Sequence, residues 1–275
     1  MSNADEKATP DDEWPVRPDK HRTVPRPADT AEYGYTFGRI GTWAFLLFVV
    51  VMLVALMIPR VSSRDASPRS QCKNNLKQIG LALHNYHDKY KCFPPAYVAD
   101  EHGRPMHSWR VLLLPYLDAQ GLYDQYRFDQ RWDGPDNRRL ADQVVHVYNC
   151  PSEDHADRKK GSTMTSYVAV VGPETVWPGT DPISIRDVTD GSTQTLQVVE
   201  IADSGIHWME PRDLHVLQMA PTINAKAGQG MSSRHKGCAQ GLLCDGTVHI
   251  FDEKMPAESL RAWLTARAGD RGEDK

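Results

Sequence analysis

The sequence predicts an α+β protein in which an N-terminal transmembrane helix continues into an amphipathic helix packed on a small antiparallel sheet. Three observations predict this class. Residues 40–59 are apolar and uncharged, and the segment between Pro68 and Pro94 places apolar side chains at helical spacing. The C-terminal half contains short runs of β-branched and aromatic residues separated by Asp-Gly turns. Residues 60–268 are therefore assigned to one folded body.

The bulk composition limits the classes of partner. The 275 residues suffice for one sizeable domain or two small ones, and the formal net charge is −4. Because this charge provides no basic field, we expect no nucleic-acid partner. Residues 1–39 are rich in proline and charge without an apolar period, which predicts a disordered tail or, alternatively, a short partner-binding motif. Residues 269–275 form a second predicted tail.

The apolar segment at residues 40–59 carries no charge between Arg39 and Arg60. About 20 apolar residues are needed to cross a bilayer as a helix. A cleaved secretory signal is disfavoured because the segment begins far from the N-terminus and no small-x-small cleavage site follows it. We expect a single-pass anchor in the cell membrane, with a buried core helix as the alternative.

The charges that flank this segment bear on its orientation. The flank before the segment includes Arg22, Arg26 and Arg39, and the flank after it includes Arg60, Arg64, Arg69, Lys73 and Lys77. The positive-inside rule would place the C-terminal body in the cytoplasm.

The body begins with the predicted amphipathic helix. Its apolar stripe, at alternating spacings of four and three residues, consists of Cys72, Leu76, Ile79, Leu83, Tyr86 and Tyr90. Pro68 suits the first turn of a helix, and Pro94-Pro95 end it. We interpret the stripe as a core-facing surface rather than a ligand site.

The later elements follow from local patterns. Short helices are predicted around Pro115, and a short terminal helix follows Pro256. Strands are predicted at HVYNC (146–150), at 165–173, at 195–201, and on both sides of Asp245-Gly246. Asp-Gly between two apolar runs predicts a hairpin with a type I′ turn, because that turn needs positive φ.

The chain has five cysteines, an odd number that leaves at least one thiol outside any intrachain disulfide. Cys238 and Cys244 would lie about 20 Å apart on one strand and could not bridge each other. We expect a disulfide between Cys92 and Cys150, since each lies beside a proline near the end of a predicted element.

A motif near the C-terminus combines His235 with Asp245 and Gly246. One extended strand, about 30 Å long, would separate the histidine from the turn, which disfavours a catalytic dyad. We expect a turn stabilised by hydrogen bonds from Asp245. A metal or ligand role for His235, shared with His107, His207 or His215, is the alternative.

Two acidic segments are candidates for binding. Asp187, Asp190 and Ser192 offer hard oxygen ligands for calcium, although no glutamate closes the loop as in an EF-hand and a simple Asp-Gly turn is the preferred interpretation. The second segment could form a ligand cleft or an ion-paired loop, and its members are Glu200, Asp203, His207, Trp208 and Glu210. A hydrolase-type use of a carboxylate base here is a weaker alternative. Because catalytic and nucleotide-binding motifs are absent from the sequence, we expect no enzyme and no resident cofactor.

The order of elements resembles type IV pilins and pseudopilins. Several strings, including QCKNNLKQIGLALHNYHDKYKCFPPAY, MHSWRVLLLPYLD, TSYVAVVG and the His-x9-Asp-Gly unit, resemble the DUF1559 family, which is abundant in planctomycetes and grouped by name with bacterial solute-binding proteins. The resemblance covers residues 40–268. The resemblance implies a pilin-like body outside the cytoplasmic membrane, whereas the count of flanking basic residues predicts a body in the cytoplasm. It also implies partners among envelope or secretion-system proteins.

The chain departs from the pilin pattern at the leader. Pilin-like chains are cut after a glycine that precedes Phe-Thr-Leu-Val-Glu, whereas Arg39 follows Gly38 here and no glutamate occupies the fifth position. That glutamate neutralises a neighbouring N-terminal amine, and an unpaired charge in an apolar filament core is costly. We therefore expect no cleavage that creates an N-terminus at residue 39 or 42, and no polymerisation of the pilin type.

Overall fold

A computed structural model describes residues 37–57, 68–153 and 161–269 of the chain. The predicted tails at 1–39 and 269–275 lie outside these ranges except at their inner ends, where the first helix already begins at Phe37. The predicted break between the first two helices also lies outside them. The chain forms two compact units, with the first helix in one and the α+β body in the other.

The first unit contains helix α1, Phe37–Met57. Large apolar side chains along it are exposed, including Trp43 at 72% and Phe45 at 66%. Within the described ranges, no helix combines the length and apolar character needed to cross a membrane. The prediction that residues 40–59 form a transmembrane helix is therefore not confirmed.

Helix α2, Pro68–Tyr90, begins and ends where the prolines predict. Its buried positions are Cys72, Leu76, Ile79, Gly80, Ala82 and Leu83. This confirms the N-terminal part of the predicted stripe, while Tyr90 at the other end is exposed. Lys91 then adopts a φ of 64°, which turns the chain out of the helix ahead of Pro94.

A segment of short elements follows α2. It contains β1 (Tyr97–Ala99), β2 (Pro105–Ser108), α3 (Trp109–Leu112), a 3₁₀ turn (Leu114–Tyr116) and α4 (Gln120–Gln125). The short helices around Pro115 are thus confirmed. The strand predicted at 146–150 is wrong, because His146–Tyr148 is a 3₁₀ turn. The Cys150 amide donates to the Ser166 hydroxyl instead of to a neighbouring strand.

The body contains a five-stranded sheet in the order β5-β3-β4-β6-β7. Its strands are β3 (Tyr167–Val171), β4 (Leu196–Glu200), β5 (Leu214–His215), β6 (Cys238–Leu243) and β7 (Val248–Asp252). The β3-β4-β6-β7 part is antiparallel, as predicted for a small antiparallel sheet. The two-residue strand β5 pairs parallel with β3 at one edge, which the sequence did not predict.

Both faces of this sheet are covered. Tyr167 and Ala169 of β3 pack in the same cluster as the buried side chains of α2. Val168 and Val170 face the opposite cluster, which includes the terminal helix α5, Ala257–Leu264. Double coverage explains why β4 is buried at every position and why its sequence does not alternate between apolar and polar residues.

The hairpin at Asp245-Gly246 is confirmed, but its turn is not type I′. Of the turn residues, Gly246 alone has a positive φ, 85°. The Leu243 amide donates to Thr247 O and the Gly246 amide to Leu243 O, so the loop has three residues with glycine in the left-handed position. Gly80 of α2 lies so close that a Cβ there would come within 2.8 Å of Leu242. A glycine at this point lets α2 approach the hairpin.

Candidate functional site

The histidine of the C-terminal motif lies beside a disulfide that the sequence did not predict. Cys72 and Cys150 are bonded, with Cα atoms 5.2 Å apart. The expected Cys92–Cys150 pairing is therefore wrong, since Cys92 is half-buried and not disulfide-bonded. Cys92 lies beyond the end of α2, whereas Cys72 lies on the face of α2 that packs on the body.

The pairing of the remaining cysteines agrees with the prediction. Cys238 and Cys244 are both buried, and neither forms a disulfide. Burial raises the pKa of the Cys244 thiol well above its ordinary value, which disfavours the reactive thiolate.

Local contacts position the two bonded cysteines. The Tyr167 hydroxyl donates to Cys72 O, which fixes the first turns of α2 on β3. Asn75 donates to Asn149 O, and this bond joins α2 to the residue just before Cys150. Together with the Cys150–Ser166 hydrogen bond, these contacts hold both sulfur atoms in the interior.

Glu200 places a carboxyl group next to the disulfide. It is the last residue of β4 and is buried. Oε2 accepts from the Gln240 amide at 3.2 Å, whereas Oε1 has no hydrogen-bond partner among the described residues. Burial raises the pKa of Glu200 to about 7, and the neighbouring Ser233 side chain and the Gln240 amide only partly oppose this rise.

The segment Ser232–His235 places the imidazole over this carboxyl group. The Ser232 amide donates to Glu200 O, and the His235 amide donates to the Ser233 hydroxyl. His235 Nε2 then lies 3.7 Å from Glu200 Oε1 and 3.8 Å from Cys150 Sγ. Burial, together with the positive charge of Arg69, lowers the pKa of His235.

These four side chains form a cluster, which we call the Cys-Glu-His cluster: Cys72, Cys150, Glu200 and His235. One ligand atom from each, two sulfur atoms, a carboxylate oxygen and an imidazole nitrogen, all lie within 4.8 Å of one another. Thiolate sulfur, carboxylate oxygen and imidazole nitrogen are ligand types that zinc and similar metals prefer, and the two sulfur atoms become thiolates only when the disulfide is reduced. In the described parts of the chain, this is the cluster that could hold a metal ion.

The Glu200→Gln variant should change the pH dependence of stability. A folded-state pKa of about 7, against an ordinary 4.5, means that the folded chain keeps a proton that the unfolded chain loses. The stability that this group contributes is complete below pH 4.5 and is lost as the pH rises to about 7. The variant cannot ionise, so relative to the wild type it should gain up to about 3 kcal/mol over that range.

Urea denaturation of the oxidised full chain in detergent between pH 4.5 and 8 measures this gain. Glu101→Gln, at an exposed position, is the matched control and should follow the wild-type curve. Parallel stability curves for Glu200→Gln and the wild type would contradict the expectation.

The other two residues of the motif do not join the cluster. Asp245 Oδ1 accepts from the backbone amide and the hydroxyl of Thr247, as expected for a turn residue. A Cβ on Gly246 would come within 3.3 Å of His84 Nε2, so this glycine serves the contact with α2. The motif therefore has two separate uses, one at the cluster and one at the hairpin.

The predicted calcium ligands are used by local structure. Asp187 completes a capping box with Ser184. The two carboxylate oxygens of the buried Asp190 accept from the amides of Ala268 and Gly269 at 2.9 Å. These contacts tie the loop to the chain after α5 and leave Ser192 as an ordinary turn residue.

Of the residues predicted to form a ligand cleft at 200–210, the structure brings together His207, Trp208 and Glu210, because the His207 ring contacts Trp208 and the His207 amide donates to Glu210. Glu200 faces the Cys-Glu-His cluster, and Asp203 forms an ion pair with Arg234. His207 Nε2 contacts Ala141 O at 2.9 Å, and the buried Trp208 donates to Gln143 O. Glu210 pairs with Arg212, so each of the five side chains has a different partner.

A buried ion pair joins the region after β2 to the same segment. Arg110 and Asp213 have side chains that are 0% and 2% exposed, with Nη1 and Oδ1 2.7 Å apart. Asp213 also accepts from Trp109 Nε1 and from the Ala169 amide. Burial raises the pKa of Asp213, and the charge of Arg110 opposes this rise.

A cavity of about 290 Å³ opens beside the disulfide. Four carboxamide side chains line it together with Cys150, namely Gln71, Asn74, Asn75 and Asn149. This volume is at the lower end of the range for small-molecule sites, and its lining offers hydrogen bonds rather than charge.

Comparisons with known proteins identify the family. No curated protein and no solved structure matches the chain. Residues 61–208, more than half of the chain, match the family described as "Protein of unknown function (DUF1559)". Cys72, Cys150 and Glu200 lie within the matched range, whereas His235 lies beyond it. The chain therefore belongs to the DUF1559 family.

Proposed function

We propose that this chain is a membrane-anchored envelope protein whose α+β body lies outside the cytoplasmic membrane and has a structural or interaction-mediating role. The observation that carries the proposal is the buried disulfide between Cys72 and Cys150. Structural disulfides form and persist in oxidising compartments and are rare in the cytosol of most organisms. A body closed by such a bond fits the periplasm or the cell exterior.

The apolar residues 40–59 are the proposed anchor. Side chains of α1 such as Trp43 and Phe45 are exposed, and insertion into a bilayer would remove them from water. Burying them in the membrane would leave the charged residues that follow at the interface.

The proposed role is pseudopilin-like. An apolar helix precedes α2, and α2 packs one face on an antiparallel sheet, which is the order of elements in pseudopilins. Envelope or secretion-system proteins are the partners this arrangement suits, and the proposal assigns no reaction to the body. Because the leader lacks the glutamate of pilins, we propose an unprocessed anchor rather than a filament subunit.

The test is protease treatment of intact spheroplasts, followed by non-reducing peptide mapping. The proposal expects that protease removes the residues after 67 and that Cys72 and Cys150 are recovered as one linked peptide. A cytoplasmic marker protein should stay intact in the same sample. A protected body with five reduced thiols would place it in the cytoplasm and overturn the proposal.

A solute-binding role is the second candidate, and the cavity beside Cys150 favours it. Its four carboxamides could bind a small polar molecule through hydrogen bonds at both donor and acceptor atoms. A small molecule that co-purifies with the full chain would favour this use, whereas crosslinks to envelope proteins in cells would favour the structural one.

A further inference from the structure

We propose that the Cys-Glu-His cluster is a redox-controlled metal site that binds one zinc ion when the Cys72–Cys150 disulfide is reduced. This inference concerns chemistry that the proposed envelope role does not include, since the metal-bound form requires the reduced thiols. It is carried by the placement of Glu200 and His235 against two sulfur atoms that are far apart in sequence.

The distances suit tetrahedral zinc. With Zn–S bonds of about 2.3 Å and Zn–N or Zn–O bonds of about 2.05 Å, ligand atoms lie about 3.6 Å apart for nitrogen and sulfur and about 3.4 Å apart for nitrogen and oxygen. His235 Nε2 lies 3.8 Å from Cys150 Sγ and 3.7 Å from Glu200 Oε1. Small movements of the imidazole and the carboxyl group would therefore close their side of a coordination shell, whereas the two sulfur atoms must separate on reduction from bonding distance to about 3.8 Å.

The unpartnered oxygen of Glu200 is independent support for a ligand at this point. A buried carboxyl oxygen normally has a hydrogen-bond partner, because leaving it without one costs about 1–3 kcal/mol. Oε1 has none among the described residues, and the imidazole nitrogen facing it is too distant for a hydrogen bond. A cation at the centre of the cluster would satisfy both atoms.

The charges of the four side chains in the cluster also suit a divalent cation. Two thiolates and one carboxylate carry three negative charges, and a neutral imidazole adds none. A divalent cation leaves a net charge of about −1, which the neighbouring Arg69 is placed to offset, since its charge already acts on both Glu200 and His235. The shell has no open position, which is typical of a structural rather than a catalytic zinc site.

The redox step is a thiol–disulfide exchange. In the metal-bound form, both cysteines are thiolates. A small-molecule or protein disulfide takes two electrons from them, and the Cys72–Cys150 bond forms while the bond of the oxidant breaks. The oxidant takes up two protons and leaves as two thiols, and the metal leaves as the hydrated dication. A dithiol reductant reverses each step in the presence of the metal.

Zinc titration of the full chain in detergent tests the proposal. The chain is reduced with a phosphine that does not bind zinc, and a chromophoric chelator reports competition. We expect one zinc per reduced chain and none per oxidised chain. His235→Asn and Glu200→Gln should each weaken zinc binding by about tenfold or more, because each removes a ligand. His102→Asn and Cys92→Ser, outside the cluster, should bind as the wild type does.

Two further readouts separate binding at the cluster from binding to unfolded thiols. Zinc should raise the Tm of the reduced wild type and should raise that of His235→Asn much less. Cobalt in place of zinc should give thiolate-to-cobalt charge-transfer bands that disappear on oxidation. Equal zinc binding by oxidised and reduced chains would overturn the proposal. So would unchanged affinity in His235→Asn and Glu200→Gln, or a reduced chain that zinc does not stabilise.

Discussion

The Asp213→Ala variant should lose about 3–5 kcal/mol of stability. The reason is the environment of Arg110, whose guanidinium is fully buried and has Asp213 as its charged partner. Its other acceptors are the backbone oxygens of Glu210 and Arg212, which supply no negative charge. Removing the carboxylate therefore leaves a charge in the interior without a counter-ion.

The loss extends beyond the ion pair. Asp213 also accepts from the indole of Trp109 and from the amide of Ala169 on β3. Both donors are buried and would lose their partner, and each such loss costs about 1 kcal/mol or more. One carboxylate thus connects α3, the sheet and the segment that leads into β5.

Urea denaturation of the oxidised full chain measures the effect. Asp129→Ala, which breaks the exposed Arg127–Asp129 pair, is the matched control and should cost less than about 1 kcal/mol. An Arg110→Met/Asp213→Leu double variant should lose less than the sum of the two single changes, because it leaves no unpaired charge. Additive losses would show that the two residues act independently and would contradict this account.

Removing both bonded cysteines should also lower the stability of the oxidised chain by several kcal/mol. The disulfide joins positions 78 residues apart, and closing a loop of that length restricts the unfolded chain by about 4.5 kcal/mol in the loop-entropy estimate. A Cys72→Ala/Cys150→Ala variant should therefore unfold at a much lower urea concentration than the oxidised wild type.

Reductant provides the internal control for this variant. In the presence of a chelator, reduction should destabilise the wild type by a similar amount and leave the double variant unchanged. Cys92→Ser should keep wild-type stability to within about 0.5 kcal/mol, since it removes a half-buried thiol outside the disulfide. A reduced wild type as stable as the oxidised one would contradict a stabilising role for the bond.

Elements with a strong local pattern could be predicted from the sequence. The boundaries of α2 follow from Pro68 and Pro94, and its buried face follows from the spacing of Leu76, Ile79 and Leu83. The Asp245-Gly246 hairpin is also local, because the pairing of its strands depends on the turn between them. These features need no knowledge of distant residues.

Features that depend on tertiary contacts could not be predicted in this way. The partner of Cys150 depends on which face of α2 packs against the loop before β3, and the proline beside Cys92 gave no information about this. Arg110 and Asp213 are 103 residues apart, and each alone is typical of the surface. The two-residue strand β5 has no pattern of its own, since its position is fixed by pairing with β3.

The Cys-Glu-His cluster did leave a trace in the sequence. Glu200 ends a strand that is otherwise suited to the interior, LQVVE, so a buried carboxyl group could have been suspected there. Cys72 likewise lies on an apolar helical stripe. Neither signal identified His235 as the neighbour, because that contact forms only when the segment Ser232–His235 hydrogen-bonds to the end of β4.

The position of the disulfide has a mechanical consequence. Cys72 lies in the first turns of α2, so a pull on the preceding chain reaches it before it reaches Leu76, Ile79 and Leu83. The covalent bond to Cys150 passes this tension directly to the chain that enters β3. Reduced protein would instead transmit the load through the packed face of α2, which could peel from the sheet one turn at a time. The oxidised body should therefore resist being unzipped from its N-terminal end.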